Sequence, residues 1–105
     1  MKMNIVDTPE PPYYSVTTTA LFTKNMSGYV KTAMSLTALA KNTEGFLGME
    51  TSLQQDCGIA ISYWESLESI KTWKFSEDHL KAKEQAKKHW FSAYITRIAK
   101  VERVY

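Results

Sequence analysis

Residues 46–64 read FLGMETSLQQDCGIAISYW. Two apolar runs flank a polar turn, Gln55-Asp56-Cys57-Gly58. In Phe46 to Gln54, alternation puts Leu47, Met49, Thr51 and Leu53 on one side. Gly48 within that run predicts a bulge or a close backbone approach. In Ile59 to Trp64, Ile59, Ile61 and Tyr63 face one way and Ala60, Ser62 and Trp64 the other. Together these runs predict an antiparallel hairpin. The fold then turns on what flanks it.

Upstream, Gly28 to Lys41 has helical periodicity: Tyr29, Ala33, Leu36 and Ala40 share a face, with Val30, Met34 and Thr37 beside it. Asn25 or Ser27 is placed to cap its start, Asn42 its end, and Gly45 gives the turn that follows its freedom. Before it, Tyr13 to Phe22 (YYSVTTTALF) is aromatic and β-branched and reads as a strand. Downstream, Ser66 caps a helix carrying Leu67, Ile70, Trp73 and Lys74, and Ser76 caps a second from Glu77 to about Trp90. His79, Ala82, Ala86 and Trp90 form one stripe of that helix, and Lys81, Lys83, Lys87 and Lys88 read as its solvated face. Tyr94 to Tyr105 alternates again: Ile95, Arg97, Ala99, Val101 and Arg103 lie opposite Tyr94, Thr96, Ile98, Lys100, Glu102 and Val104.

The order is β-α-β-β-α-β, an α+β, ferredoxin-like arrangement with an antiparallel sheet and helices on one face. One domain spans Tyr13 to Tyr105, preceded by a Pro-rich tail, Met1 to Pro12. Large apolar residues on both strand faces predict that the second face is covered by another subunit, giving a homodimer that closes an α/β barrel.

Composition narrows the function classes. The net charge of +2 over 105 residues lacks the basic excess of a nucleic-acid module. A single cysteine, Cys57, forbids an intrachain disulfide. No apolar run approaches a membrane span and Met1 to Pro12 has no secretory core, so the reading is a cytoplasmic protein with no membrane or nucleic-acid partner. His79 and His89 lie ten positions apart, on different helix faces, and no cluster has metal-ligand spacing. Phosphate-cradling and dinucleotide fingerprints are absent.

Candidate chemistry concentrates between Ile59 and Trp90, which holds Trp64, Trp73, Trp90 and both histidines. His79 is the candidate base, since an imidazole titrates near neutral pH; its ordinary alternative is a helix-start histidine bonded to backbone or to Asp78. His79 and Trp90 lie eleven positions apart, which on a continuous α-helix nearly aligns them along one cavity. The three tryptophans read as stacking walls for a small aromatic ligand or as core anchors. Tyr63, Tyr94 and Arg97 are candidate anion stabilisers; for Arg97 the alternative is an ion pair with Glu102 or Glu50.

Several segments together resemble the antibiotic biosynthesis monooxygenase superfamily: Glu44-Gly45-Phe46-Leu47-Gly48, Ser62-Tyr63-Trp64-Glu65-Ser66, Ile70, Trp73, His79 and the ending Val101-Glu102-Arg103-Val104-Tyr105. The resemblance covers roughly Tyr13 to Tyr105 and implies a dimeric α/β-barrel protein. It further implies a cofactor-independent monooxygenase acting with O2 on a small electron-rich aromatic or polyketide-like substrate. His79 would be the base, and Trp64, Trp73, Trp90, Tyr63, Tyr94 and Arg97 would bind substrate. The superfamily's haem-degrading branch uses an Asn on the first strand, a Trp after strand three and a His further on. Here those positions are Thr18, Trp73 and Lys83, with His79 one turn earlier, so haem binding stands as an alternative. A non-catalytic dimeric small-molecule-binding domain is the other.

Overall fold

The computed structural model describes residues 5–105. Met1 to Asn4, the first part of the predicted tail, lie outside the described residues. Strand β1 spans Tyr13–Phe22, helix α1 Tyr29–Lys41, β2 Phe46–Leu53, β3 Cys57–Trp64, α2 Leu67–Lys74, α3 Glu77–Gln85 and β4 Phe91–Val101. A π-helical turn, Ala86–Trp90, joins α3 to β4. The four strands form one antiparallel sheet in the order β2-β3-β1-β4. This is the ferredoxin-like arrangement predicted from the order of elements.

The caps act where sequence places them downstream of the hairpin. Ser66 Oγ accepts the Ser69 N–H at 3.1 Å, and Ser76 Oγ accepts the His79 N–H at 3.3 Å. Asn42 closes α1, its N–H donating to the Ala38 carbonyl. The start of α1 differs from expectation. Gly28, in a left-handed conformation, holds the cap position without a side-chain bond, while Asn25 Oδ1 accepts from the Ser27 N–H in the preceding turn.

Three boundaries also differ, each for a reason of pairing. β3 begins at Cys57 rather than Ile59, because Cys57 and Gly58 pair with Leu21 and Ala20 of β1. β4 starts at Phe91 rather than Tyr94, since Phe91 pairs with Phe22 and their rings stack at 5.8 Å. It stops at Val101, opposite Tyr13, where β1 begins and residues 102–105 have no strand partner in the sheet. The bulge lies between Phe46 and Gly48, so Phe46, not Leu47, shares the side of Met49 and pairs with Trp64.

Register defines the two sheet faces. Tyr14, Val16, Thr18 and Ala20 of β1 look toward the helices, with Ser62 and Trp64 of β3 beside them. The core on that side is Val16, Ala40, Trp64, Ile70 and Trp73, with Tyr14, Leu39, Phe46 and Met49 packed around it. The opposite face carries Glu50, Ile61, Thr17 and Arg97 in one row and Ser52, Ile59, Thr19 and Ile95 in the next. Its Tyr63 end is overlaid by the chain before β1. The Val6 N–H donates to Glu50 Oε2 at 3.0 Å, Thr8 Oγ1 donates to Tyr13 Oη at 2.9 Å, and the Val6 side chain lies over Gly48. Gly48 is thus both bulge and close approach.

Gly45 ties the α1–β2 turn to α2. It has φ +90°, its carbonyl accepts the Glu65 N–H at 2.8 Å, and a Cβ there would run into the Ser69 side chain. Gly45→Ala is therefore expected to lower stability by about 1–3 kcal/mol in urea unfolding, combining left-handed strain with the clash. An unchanged midpoint would contradict this reading of the turn.

Candidate functional site

The helix side of the sheet is built on a column of rings. Phe46 meets Trp64 edge-on at 5.2 Å, Trp64 meets Trp73 at 5.1 Å, and Trp73 meets the His79 imidazole at 4.4 Å and 90°. The column forms because four elements deliver one ring each: β2 brings Phe46, β3 brings Trp64, the end of α2 brings Trp73 and the first turn of α3 brings His79. Each indole N–H has a protein acceptor. Trp64 Nε1 donates to Ser62 Oγ at 2.8 Å, and Trp73 Nε1 to the Leu36 carbonyl at 3.3 Å. Trp64 is 0% exposed and Trp73 7%. Both behave as core anchors that set the position of the imidazole.

His79 is the exception in this satisfied core. It is 9% exposed, and its Nδ1 is buried without a hydrogen-bond partner. An unpartnered buried polar atom costs about 1–3 kcal/mol. Burial pushes the imidazole down to about 4 from the usual 6.5, and the ammoniums of Lys74 and Lys83 push the same way. His79 is therefore a neutral imidazole at physiological pH. Lys74 is itself held below the ordinary lysine range, first by burial and then by Lys83, and its ammonium lies 5.9 Å from the centre of the Trp73 ring. Lys83 falls one turn along α3 from His79, among residues whose spacing reads as a solvated face. Its i+4 relation to the histidine is the sequence signal for its role.

Trp90 belongs to a second cluster. Its Nε1 donates to the Ser27 carbonyl at 2.9 Å and its ring meets Tyr29 edge-on at 5.6 Å. Phe22, Phe91 and Tyr94 complete the group, with Phe91 and Tyr94 5.5 Å apart. The π turn changes the angular phase between His79 and Trp90 that a continuous α-helix would keep. All four residues of the His79, Ala82, Ala86 and Trp90 stripe are buried, but the two rings pack into different clusters.

Tyr63 and Arg97 lie on the other face of the sheet from Tyr94 and the imidazole. The Tyr63 hydroxyl donates to Glu50 Oε1 at 2.7 Å. Burial, that hydrogen bond and the Glu50 charge push the phenol up to about 12, so it stays protonated. Arg97 is exposed, and among the described residues it makes no ion pair. Glu50, one of its anticipated partners, stands three strand spacings away in the same row, roughly 14 Å. The seven residues singled out by sequence thus divide into three sets: Trp64, Trp73 and His79; Trp90 and Tyr94; Tyr63 and Arg97.

Ile98 pairs with Val16 of the core, yet it is 51% exposed, and Thr18 and Thr96 join hydroxyls at 2.9 Å beside it. α2 packs on β3 and α1 on β2, while the helical segment that meets β4 most is the π turn that leads into it. Ile98 and the threonine pair thus lie on the helix-facing side of β4, where Ile98 is left half-exposed. Two open surface depressions lie elsewhere: one on α3 around Phe75, Leu80 and Lys81, the other between residues 8–11 and 102–105. The His79 ring stands edge-on to Trp73, with Nδ1 the nitrogen closed off from solvent. Among the described residues no group of three or more His, Cys, Asp or Glu could hold a metal ion, and no helix is long and apolar enough to cross a membrane.

Comparison with known proteins places this geometry in context. The chain is 41% identical over 97 residues to the uncharacterized protein YqjZ of Bacillus subtilis (strain 168), covering 91% of this chain and 85% of that one. No family model matches. Its fold is that of SnoaB, a cofactor-independent oxygenase from Streptomyces nogalater: TM-score 0.75, 6% identity, covering 90% of this chain and 97% of the other. It is also that of an antibiotic biosynthesis monooxygenase, with TM-score 0.72 and 10% identity over 86% of this chain and 99% of the other. At these identities the structural likeness concerns fold alone.

The displaced imidazole couples to stability. Between about 4 and 6.5 the unfolded chain takes up a proton that folded His79 refuses, so folding loses stability as pH falls through that window. The full effect is on the order of 3 kcal/mol. Urea unfolding at pH 7 and pH 4 is expected to cost the native protein about that much more than His79→Phe. Equal losses in both proteins would contradict a neutral buried histidine.

Proposed function

The chain belongs to the family of Bacillus subtilis YqjZ and has the antibiotic biosynthesis monooxygenase fold, and from that premise we propose that it is a cofactor-independent monooxygenase oxidising a small electron-rich aromatic or polyketide-like substrate with O2. The observation that carries the proposal is His79: neutral, held against Trp73, and left with an unpartnered Nδ1 in an otherwise satisfied core. Buried polar groups without partners are rare enough that function is a reasonable account of one.

In this reading the substrate supplies all four electrons that reduce O2. A ring methylene or phenol loses a proton toward the imidazole, giving an enolate or phenolate. The anion passes one electron to O2, and the resulting radical and superoxide combine into a C–O–O peroxide anion. The proton returns from His79 to the outer oxygen. Loss of the second C–H proton with cleavage of the O–O bond yields C=O and water, so R2CH2 + O2 becomes R2CO + H2O. A conjugate acid near 4 makes the imidazole a modest base but a ready proton donor to the peroxide. Lys74 and Lys83 stabilise the anion before it meets oxygen.

A second reading is a non-catalytic small-molecule-binding domain. It is favoured by the three indole N–H groups, each committed to a protein acceptor as in a packed core. Oxygen uptake with a panel of hydroquinones and anthrones separates the two. The monooxygenase reading expects uptake that falls about 100-fold in His79→Ala and in the better-matched His79→Gln. Uptake equal in native and variant proteins removes the catalytic role.

The proposal includes a homodimer formed through the open sheet face. Leu21, Ile59 and Ile95 are about half-exposed there, next to the part overlaid by residues 6–8. A two-fold partner laid over this face would cover them and close the sheets into a barrel. Sedimentation is expected to give twice the 12.0 kDa chain mass, and Ile95→Asp to give the single-chain mass. A 12.0 kDa species from the native protein at micromolar concentration would exclude the dimer.

A further inference from the structure

The contact between His79 and Trp73 is shorter than any other edge-on ring contact among the described residues. The Phe46–Trp64, Tyr29–Trp90, Tyr29–Phe91 and Tyr13–Tyr63 pairs stand 5.2, 5.6, 5.9 and 6.0 Å apart, whereas His79 and Trp73 stand at 4.4 Å and 90°. An imidazole edge atom reaches about 1.1 Å from its ring centre, which leaves roughly 3.3 Å to the indole, inside the about 3.5–4.0 Å that carbon atoms prefer. That separation is close for a C–H edge and suits an N–H directed at a ring face. The indole does not supply that N–H, because Trp73 Nε1 already donates to the Leu36 carbonyl at 3.3 Å. Of the two imidazole nitrogens, Nδ1 is closed off from solvent and meets no oxygen or nitrogen partner. Nε2 is not closed off, and among the described residues it makes no hydrogen bond. A neutral imidazole carries one N–H and one lone pair. The negative face of an indole attracts the first and repels the second.

We propose that the indole face of Trp73 holds the proton of His79 on Nδ1, so that Nε2, bearing the lone pair, is the working nitrogen of the imidazole. Nε2 lies across Cε1 from Nδ1, so seating Nδ1 on the indole turns Nε2 away from it. An imidazole free in water exchanges its proton between both nitrogens; one seated on Trp73 keeps it in place. Trp73 is thus a positioning residue, acting on substrate through the tautomer of the histidine. Its own orientation is fixed by the Leu36 carbonyl on one side and by Trp64, which lies against it at 5.1 Å. This deepens the monooxygenase reading by naming the atom that receives the substrate proton and returns it to the peroxide, and it rests on that reading only for that chemistry.

The test is long-range proton–nitrogen correlation spectroscopy of the histidine rings at pH 7, with His89, exposed on the π turn, as the reference within the same protein. His79 Nδ1 is expected at the shift of a protonated nitrogen and Nε2 at that of an unprotonated one. The proton on Nδ1 is expected upfield of its position in free imidazole, moved there by the ring current of the indole. Trp73→Phe keeps a ring face and is expected to keep this pattern. Trp73→Leu removes the face, and the His79 nitrogens then show shifts averaged over both tautomers, as for His89. A proton on Nε2 or averaged shifts in the native protein, loss of the pattern in Trp73→Phe, or an unchanged pattern in Trp73→Leu would each overturn the proposal. Where Trp73→Leu does not fold, the native spectrum decides, and an Nδ1 proton without the upfield shift overturns the proposal. The tautomer is read with no substrate present. A protein that shows it but takes up no oxygen refutes the oxidation and leaves the tautomer assignment standing; oxygen uptake with the proton on Nε2 removes the assignment alone.

Discussion

The contact between Trp73 and His79 is the constraint on which the rest of the helix side depends. It joins the end of α2 to the start of α3 across a single short connection, Phe75 and Ser76. Ser76 fixes the backbone of His79 by capping, and the Trp73 N–H reaches across to Leu36 and so ties α2 to α1. Trp64 then carries the column down to the sheet. Ring contacts of this kind are worth about 0.5–1.5 kcal/mol beyond their burial, so the column is stiff as well as apolar. An imidazole held in it has little room to turn, and its electrostatics are set by what surrounds it.

What surrounds it is unusual for a histidine. Low polarity and two ammoniums both disfavour the imidazolium, and nothing nearby offsets them. The same surroundings favour an anion. The proposed oxygen chemistry, in which the reactive species is the deprotonated substrate, draws on these surroundings. The two faces of the sheet differ in what they gather. The helix face gathers the neutral imidazole and the cations. The open face gathers Tyr63, Glu50 and the chain around Val6 in a hydrogen-bonded corner beside an apolar patch, an arrangement suited to association.

Much of the architecture was legible in the sequence because it is written in local patterns. Alternation and helical spacing give the βαββαβ order, Ser66 and Ser76 announce their helices, and the buried stripe of α3 follows from spacing alone. Alternation also places Tyr94 and Arg97 on opposite faces, which is where pairing with Ala20 and Thr17 puts them. Features set by partners distant in the chain were not legible. Phe91 joins β4 because Phe22 lies across from it, and the bulge falls before Gly48 because Phe46 pairs with Trp64. The π turn ends on Trp90, whose ring packs against Tyr29 of α1, far off in the chain. At the site, His79 and Trp73 stood out by residue type. Lys74 and Lys83 did not, because a lysine on a charged helix looks solvated until its neighbours in space are known.

The central claim is that His79 is a neutral, buried imidazole under the influence of Lys74 and Lys83. Nuclear magnetic resonance titration of its ring nitrogens tests this most directly. The account predicts a midpoint of about 4 in the native protein, moving upward in Lys83→Gln. A midpoint at or above the ordinary 6.5, unmoved by that substitution, would contradict it.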